Sequence, residues 1–585
     1  MAEQKQSLKI IFILNMVIMS IYTCSIRWHV FTSMLRLSCV IAFYFLMLLI
    51  LPFISYESKS IAHEIVIQYQ RFIALLRNTF EDWKKLIFCF LVYTVSLGID
   101  YVCIHIYSMM TGTSINRIII CMVIGLTFLG DTFMLLNKQI SKKPEKLFFC
   151  CVMIIGTALI SASPNMIGIN WDDDVHYFRV EALANFADET GYQSDEMLLN
   201  HYVDTALYHT GYSEAEQADF NQQLNESFAQ RETSIYRSDI NVYSICYIPA
   251  AVGVVVGRVL HLPFTWILKL AKICNLLFYA ILVSAAIKKL NFGKVFTASI
   301  ALIPTVIYMA GNFSYDPWMI GFMIYGYCCF FSFLQDHDKK MNVKEMVLML
   351  GAFILAIIPK AVYFVIMFPL FLLPKTAFNT KHEHKKYIFW LFISGLFLAS
   401  TFLLPLMIHG AGQGDLRGEN GVNAAEQIVY ILENPSTFFA MMIHFLSDYL
   451  NIANSGDFTM YFSYLGQGSI AREIPIAIVL ATAVLDKNGT KGKTVAMIIV
   501  TVSSFFVTVF LVATAMYISF TPVGLNTVLG CQYRYLIPVL FPLFYMICPD
   551  CVHVKINQTL FTSISLMGMS VIFLLNTMPM LSLLY

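Results

Sequence analysis

A dense group of ionisable side chains lies at residues 170–179, where a long apolar segment ends and the largest polar loop begins. If this stretch starts a helix, Asp172, His176 and Arg179 follow at i, i+4 and i+7 and share one helix face. A carboxylate, an imidazole and a guanidinium on one face can exchange protons and hold an anion. The same acids, Asp173 included, also suit an ordinary helix N-terminus, where they cap amides and complement the dipole. The local pattern leaves both interpretations open.

Further charged residues occur where other apolar segments begin or end. They are Lys360 with Tyr363 nearby, Asp316 after Tyr315, the pair Arg472 and Glu473, and Arg534 between Gln532 and Tyr535. Charge at a membrane boundary is costly unless it is paired or functional. Any one of these cations could simply extend its charged group to the membrane–water interface, without a functional role. Together, on the side that carries Asp172, they predict a site for an anionic, lipid-linked substrate, because arginine and lysine bind phosphate.

The composition is that of a membrane protein. Of 585 residues, 58% are hydrophobic and 13% are charged, and the mean hydropathy is +0.68. Soluble domains carry about twice that charged fraction. The sequence contains no Walker A, dinucleotide-binding or H-E-x-x-H motif, so we expect neither a nucleotide-driven enzyme or pump nor a nucleic-acid partner.

The 14 cysteines lie mostly in apolar segments and predict no disulfide framework. Cys548 and Cys551 form a C-x-x-C at the end of a span. Without a second pair in the sequence, this is a weak indication of redox or metal chemistry.

Clusters of lysine and arginine in short loops predict the orientation of the spans, since these residues favour the cytoplasmic side. The clusters occur at 57–85, 138–146, 288–294, 339–344, 375–386 and 487–493. The predicted spans are 10–23, 31–54, 86–110, 115–136, 147–161, 264–287, 295–310, 317–334, 346–358, 362–373, 387–408, 474–484, 495–517, 535–548 and 560–581. Segment 247–260 is predicted to be re-entrant or interfacial, and 57–85 to form a surface helix. The chain is therefore expected to be all-α and polytopic, with roughly 13–15 transmembrane helices.

Two long polar loops fall on the opposite, extracytoplasmic side. The first, 164–242, follows the fifth span and contains no lysine. Its helix-like spacing and aromatic residues predict a small helical cap, with disorder as the alternative. The second loop is 410–468.

Short motifs occur in an order that resembles the bacterial membrane family of domain of unknown function 2142. The acidic motif is matched by Asp172 and Asp173, followed by His176, Tyr177 and Arg179. The later matches are Tyr247 with Pro249, Gly257 with Arg258, Ser314-Tyr315-Asp316, Lys360 with Tyr363, and Gln532 with Arg534 and Tyr535. A proline of the family pattern is missing before the acids, and Tyr533 replaces a glycine. The resemblance covers about 147–585, which is expected to form a GT-C-like membrane domain, while 1–146 adds further spans.

That family is similar to the lipid-sugar-dependent glycosyltransferases of the GT-C fold, and the similarity implies a chemistry. The donor would be a polyprenyl-phosphate sugar, and transfer would invert the anomeric centre. Asp172 or Asp173 would be the general base, and His176 would orient it or join it in binding magnesium or manganese; no other cofactor is implied. The residues implied to bind substrate are Arg179, Tyr315, Asp316, Lys360, Tyr363, Gln532, Arg534 and Tyr535, with the cations stabilising the leaving phosphate.

The sequence thus predicts a bacterial multi-pass membrane glycosyltransferase that acts on a cell-envelope glycan or lipid, with its site facing the extracytoplasmic side. Asp172→Asn and Asp173→Asn are each expected to abolish transfer while the protein still inserts. The alternative is a transporter or flippase of lipid-linked precursors, although paired inverted repeats are not apparent. A catalytically inactive scaffold, with the acids as helix caps, is a third interpretation.

Overall fold

The computed structural model describes residues 83–111, 116–137, 139–185, 191–205, 213–228, 231–232, 240–409, 421–451, 455–486, 493–548 and 557–584. Several predictions lie outside the described residues: the spans 10–23 and 31–54, most of the surface segment 57–85, the start of the loop 410–468, and Cys551.

Within these ranges the chain is helical except for one pair of very short strands. The N-terminal helices are α1 (Trp83–Thr111), α2 (Arg117–Leu136) and α3 (Pro144–Ala162). The first polar loop contains α4 (Asp173–Ala184), α5 (Gln193–Thr205) and α6 (Glu214–Ser227), with β1 (Gly191–Tyr192) antiparallel to β2 (Arg231–Glu232). The described part of this loop is therefore helical, as the sequence predicted.

The central part contains α7 (Ile248–Val259), α8 (Phe264–Lys289), α9 (Lys294–Ala301), α10 (Pro304–Ala310), α11 (Asp316–Gln335), α12 (Val343–Ile357) and α13 (Lys381–His409). The C-terminal part contains α14 (Ala424–Glu433), α15 (Pro435–Tyr449), α16 (Ser455–Thr459), α17 (Ile474–Leu485), α18 (Val495–Phe520), α19 (Ile537–Ile547) and α20 (Gln558–Leu581). The 3-10 helices are Val242–Tyr247, Ile358–Leu372, Lys375–Ala377, Ser463–Leu465, Tyr533–Leu536 and Ser582–Leu584.

Sequence signals set many of these helix ends. The side chains of Asn116, Asn342, Asn423 and Asn557 accept backbone N–H groups at the starts of α2, α12, α14 and α20. Proline occupies the first turn of α7, α11, α17 and α19, where its missing N–H costs little.

The described residues form a polytopic α-helical membrane protein. Nine of its helical stretches are long and apolar enough to cross a bilayer. The larger predicted number also includes shorter segments, such as α17, and two spans that precede residue 83.

The helix break at Lys360 makes a hairpin of two predicted spans. Taken as one continuous helix, the 30 residues of Val343–Leu372 would extend about 45 Å. Instead, Met341 N donates to Ala377 O at 2.7 Å, so the two ends lie side by side. Lys360, with φ −141° and ψ 79°, therefore lies at the turn, far from the lysine-rich ends.

The loops predicted to be cytoplasmic contact one another on one face of the bundle. Hydrogen bonds join Asn291 N to Gln335 Oε1, Gly293 N to Asp486 O, Met341 N to Ala377 O, and Lys493 Nζ to Cys548 O. The alternation deduced from the lysine clusters therefore agrees with the packing of these described loops.

Helix α7 lies beside α4 on the other face. At its start, Tyr247 Oη hydrogen-bonds His176 Nδ1 at 2.8 Å; at its end, Arg258 Nη1 donates to Asn185 Oδ1 at 2.6 Å. Its 12 residues extend about 18 Å, less than the hydrocarbon thickness. Although Val242–Val259 is long enough by composition to span, contacts at both ends with α4 favour the predicted re-entrant or interfacial arrangement.

Candidate active site

Arg534 joins two acids from distant parts of the chain. Its Nη1 lies 2.9 Å from Asp316 Oδ2, and its Nη2 lies 3.4 Å from Asp172 Oδ2. Arg534 and Asp316 are almost fully buried, whereas the Asp172 side chain is 32% exposed. Asp172, Asp316 and Arg534, which were predicted to share one site, therefore do meet.

Lys360 extends this cluster. Its Nζ lies 3.6 Å from Asp316 Oδ1 and 3.7 Å from the centre of the Tyr535 ring. The Tyr315 ring is 5.2 Å from the same nitrogen. Two cations thus share one carboxylate, within aromatic walls that favour positive charge.

The backbone at helix ends and kinks positions these side chains. Asp316 begins α11, where the helix dipole stabilises a carboxylate. Arg534 lies in the 3-10 turn before α19, and Lys360 lies at the hairpin turn. Asp172 precedes α4 with φ 54°, a left-handed conformation that is strained for a residue other than glycine.

Several buried polar atoms of the cluster lack hydrogen bonds within the described part of the chain. They are Asp316 Oδ1 and Oδ2, Lys360 Nζ, Arg534 Nε and Nη1, and Gln532 Oε1. Arg534 and Lys360 both form ion pairs with Asp316, at 2.9 and 3.6 Å, but neither contact is a hydrogen bond. Buried polar groups are normally satisfied, so this concentration of unsatisfied donors and acceptors is typical of a ligand site.

Asp172 and Asp173 have different environments. Asp173 is buried, its Oδ1 accepts Gly168 N at 2.7 Å, and its Oδ2 accepts Asn170 N at 3.1 Å. Burial raises the pKa of the Asp173 carboxyl, and the two amides and the nearby Lys272 ammonium oppose that rise. Asp173 therefore holds the loop together, while Asp172 is left facing the site.

A cavity of about 200 Å³ opens beside the cluster. Its lining residues are Asp172, Val175, His176, Arg179, Tyr243, Tyr247, Tyr315 and Pro359. The expected shared face of Asp172, His176 and Arg179 is thus present, and it faces this cavity. At about 30 Å³ for each water molecule, the cavity has the volume of about seven waters, enough for one small ring such as a sugar ring.

His176 is neutral at physiological pH. Burial lowers its pKa to about 3, although the Asp172 carboxylate nearby acts in the opposite direction. Its Nδ1 is hydrogen-bonded to Tyr247, and the Tyr315 ring packs edge-on against it at 5.0 Å. A neutral imidazole held in this way can orient a neighbouring group or hydrogen-bond a substrate.

Two tyrosines contact the backbone of the site, and one of them, Tyr363, was predicted to bind substrate. Tyr363 Oη donates to Tyr535 O at 2.7 Å, and Tyr449 Oη donates to Gln532 O at 2.7 Å. Tyr363 therefore positions the segment that carries Arg534, and it does so through the main chain.

The motif Gly257-Arg258 anchors the acidic helix. Arg258 Nη2 lies 2.5 Å from Glu181 Oε2, and both side chains are nearly buried. A Cβ at Gly257 would lie 2.9 Å from Ile267 Cγ1, so this glycine permits close packing on α8. This motif therefore supports α4 rather than contacting the charged cluster.

Arg472 and Glu473 do not join the cluster. Arg472 Nε lies 2.7 Å from Glu473 Oε1, and both side chains are well exposed. The expectation that they belong to the site is wrong, because each neutralises the other at the surface.

Trp171 was not singled out by the sequence, yet it contacts the central cation. The Arg534 guanidinium carbon lies 4.5 Å from the Trp171 ring centre, and Tyr461 stacks against that ring at 5.8 Å. Its position next to Asp172 in the sequence could have indicated that Trp171 belongs to the site. Tyr461, from a distant loop, left no such signal.

A metal site is not apparent in the described residues. They contain no group of three or more His, Cys, Asp or Glu side chains placed to hold an ion. Asp172 is instead paired with Arg534, so we derive no step through magnesium or manganese.

Fold and cluster together define a multi-pass α-helical membrane protein with a buried charged site at one end of its bundle. Residues 149–543 match the family model described as Predicted membrane protein (DUF2142). This match covers more than half of the chain, and the chain belongs to that family. No curated protein and no solved structure matches the chain.

Proposed function

We propose that the protein is a GT-C type glycosyltransferase that moves a sugar from a polyprenyl-phosphate donor to a cell-envelope glycan or lipid. The observation that best supports this is the pair of cations, Arg534 and Lys360, with unsatisfied nitrogens beside the cavity that Asp172 lines. Phosphate oxygens accept charge-assisted hydrogen bonds from such groups. A lipid phosphate would accept hydrogen bonds from the unsatisfied nitrogens of Arg534 and Lys360, and both ion pairs with Asp316 would remain in place.

In the proposed reaction, Asp172 takes the proton from the acceptor hydroxyl as its oxygen attacks the anomeric carbon. The new glycosidic bond forms as the bond between that carbon and the phosphate oxygen breaks. The phosphate leaves with the electron pair, and Arg534 and Lys360 stabilise its negative charge. A single base and one displacement invert the anomeric centre.

Asp172 is the better candidate for the base, for two reasons. Its side chain is partly exposed and lines the cavity. Asp173, by contrast, uses both oxygens on backbone amides. His176, neutral and fixed by Tyr247, would hold the acceptor or Asp172 in position.

The position of the site is consistent with an extracytoplasmic reaction at a bacterial membrane. The hairpin turn at Lys360 lies at the end of the bundle away from the lysine-rich loops. Because lysine-rich loops favour the cytoplasm, the site would face the other side.

A transfer assay in proteoliposomes tests this proposal, using purified full-length protein, labelled polyprenyl-phosphate sugars and envelope acceptors. Asp172→Asn is expected to lower the rate by at least about 100-fold, the usual contribution of a general base. Asp174→Asn is the matched control, since it neutralises an acid two residues further along that does not line the cavity, and it should transfer at nearly the wild-type rate. Similar rates for both variants would end the assignment of Asp172 as the base.

A transporter or flippase of lipid-linked precursors is the second candidate. Interrupted helices support it: α9 and α10 are separated before Pro304, and the hairpin unwinds at Lys360 beside the cluster. Transporters often bind substrates at such breaks. Translocation of a fluorescent lipid phosphate that persists in Asp172→Asn, without any transfer by the wild type, would favour this candidate.

A further inference from the structure

An apolar groove separate from the candidate active site runs between α1, α2 and α3. Its volume is about 560 Å³, and it is lined by side chains such as Tyr93, Phe128, Phe149 and Met153. All three helices are long enough and apolar enough to span a bilayer, so the groove lies at the depth of lipid chains.

Two cations lie at one end of the groove. Arg117, the first residue of α2, donates from Nη2 to the carbonyl of Ser161, and Ser161 lines the groove. Cys121, one turn along α2, lines it too. Lys269 of α8 interacts electrostatically with both Arg117 and Cys121. The groove thus has an apolar body and a positively charged end.

Neither cation is neutralised by a described carboxylate. The ion pairs of the described chain include neither Arg117 nor Lys269. Lys272, one turn further along α8, differs because it lies near Asp173 and donates to Asn312 Oδ1 at 3.2 Å. Two close, unneutralised cations repel each other and favour a bound anion.

These cations lie on the face away from the lysine-rich loops. Ser161 is near the end of α3, whose other end carries Glu145, and Glu145 O accepts Ser284 Oγ from the second half of α8. Basic side chains beside an apolar groove at a membrane surface suit an anionic lipid head group.

We propose that this groove binds an anionic phospholipid, with a fatty acyl chain along α1–α3 and the phosphate at Arg117 and Lys269. The ligand class follows from charge complementarity at the end and apolar lining along the body. The site is distinct from the proposed donor site, because none of its lining residues belongs to the Asp172 cavity.

Native mass spectrometry of the delipidated full-length protein tests the proposal. The probes are dioleoyl phosphatidylglycerol and dioleoyl phosphatidylcholine in equal amounts. Wild type is expected to retain the anionic lipid about tenfold more strongly, and Arg117→Gln/Lys269→Gln to lose that preference, a change of about 1.4 kcal/mol. Lys142→Gln/Lys143→Gln removes two exposed cations between α2 and α3 and should keep the preference. Equal retention of both lipids by wild type, or an unchanged preference in Arg117→Gln/Lys269→Gln, would overturn the proposal.

A second experiment identifies the occupant of the groove. A photo-crosslinking amino acid replaces Thr157, which lines the groove and is partly exposed. The expected product is a crosslink to phosphatidylglycerol that decreases in Arg117→Gln/Lys269→Gln. A crosslink to the segment 1–82 of the same chain would show that the protein fills its own groove and would refute lipid binding. Lipid bound at the Arg534 cluster contributes equally to wild type and to each variant, because that cluster is intact in all of them, so the difference between the proteins reports on the groove.

Discussion

The buried ion pair between Arg534 and Asp316 gives a prediction for the coupling free energy between these two residues, which general destabilisation by either substitution would not produce. Arg534 Nη1 lies 2.9 Å from Asp316 Oδ2, and the two residues are 4% and 3% exposed. Arg534→Gln leaves Asp316 with Lys360 at 3.6 Å. Asp316→Asn leaves Arg534 with Asp172 at 3.4 Å. Each single change thus leaves one buried charge with a weaker partner.

The expected magnitudes follow from these distances. Two unit charges at the 2.9 Å of this pair attract by about 6 kcal/mol at an effective dielectric constant of about 20. Removing one partner of a buried pair usually costs about 3–5 kcal/mol. Because a second partner remains here, we expect each single variant to lose about 2.5 kcal/mol of unfolding free energy. The double variant should lose about 2 kcal/mol rather than the sum of about 5, since both members of the pair are then neutral. The remaining loss reflects Lys360 and the partly exposed Asp172, which each lose one partner.

The measurement is a double-mutant cycle in detergent micelles, with unfolding of the full-length protein followed by circular dichroism. The expected coupling free energy is about 3 kcal/mol. Additive losses, with a coupling near zero, would show that Arg534 and Asp316 do not pair in the folded protein. Arg472→Gln/Glu473→Gln is a matched control for an exposed pair, and its coupling should be much smaller than that of the buried pair.

Three further predictions concern the acidic helix. Asp172→Asn should abolish transfer with little loss of stability. Asp173→Asn should lower the unfolding free energy by about 1–3 kcal/mol, because two backbone amides lose a charged acceptor. Thermal unfolding of both variants distinguishes these effects, and equal losses of stability would contradict the two assignments. Burial holds the pKa of His176 at about 3, against about 6.5 in an unfolded chain, so the unfolded state takes up the proton first as the pH falls. Between about pH 6 and pH 5, wild type should therefore lose about 1 kcal/mol of unfolding free energy relative to His176→Gln. This comparison cancels the opposite contribution of Asp173, whose raised pKa lets the folded state take up its proton first. Parallel pH profiles would refute the buried neutral imidazole. Arg258→Met leaves Glu181 buried without its cation and should destabilise the protein by about 3–5 kcal/mol, a loss that Arg258→Met/Glu181→Leu should largely reverse in the same unfolding assay.

The sequence was sufficient to predict an all-α, multi-pass membrane protein and to predict which of its described loops share a face. Lysine clusters predicted which loops share a face, and hydrogen bonds such as Met341 N to Ala377 O agree with that grouping. Two spans, 346–358 and 362–373, were predicted on either side of Lys360, and the chain does turn at that residue. These features depend on local composition, which a single sequence shows directly.

The sequence was not sufficient to choose between neighbouring acids. Asp172 and Asp173 look equivalent in the chain, and their roles separate only when the loop closes. The left-handed backbone at Asp172 turns the chain so that Asp173 meets the amides of Gly168 and Asn170. Such a choice depends on loop closure, and no periodicity encodes it.

The sequence also did not show which distant residues contact one another in the site. The sequence marked Tyr363 as a site residue but could not show that it acts through the carbonyl of Tyr535. It gave no reason to select Tyr461, which stacks on Trp171 beneath Arg534. These contacts join segments hundreds of residues apart, so only the folded chain reveals them.

The central claim is that the Arg534 cluster binds a lipid phosphate at the same site where Asp172 acts. The most direct test is equilibrium binding of farnesyl phosphate to purified full-length protein. We predict that wild type and Asp172→Asn bind with similar affinity, because Asp172 takes a proton and does not hold the phosphate. Asp316→Asn/Arg534→Gln should bind at least about tenfold more weakly while remaining folded. Equal binding by all three proteins would contradict the account.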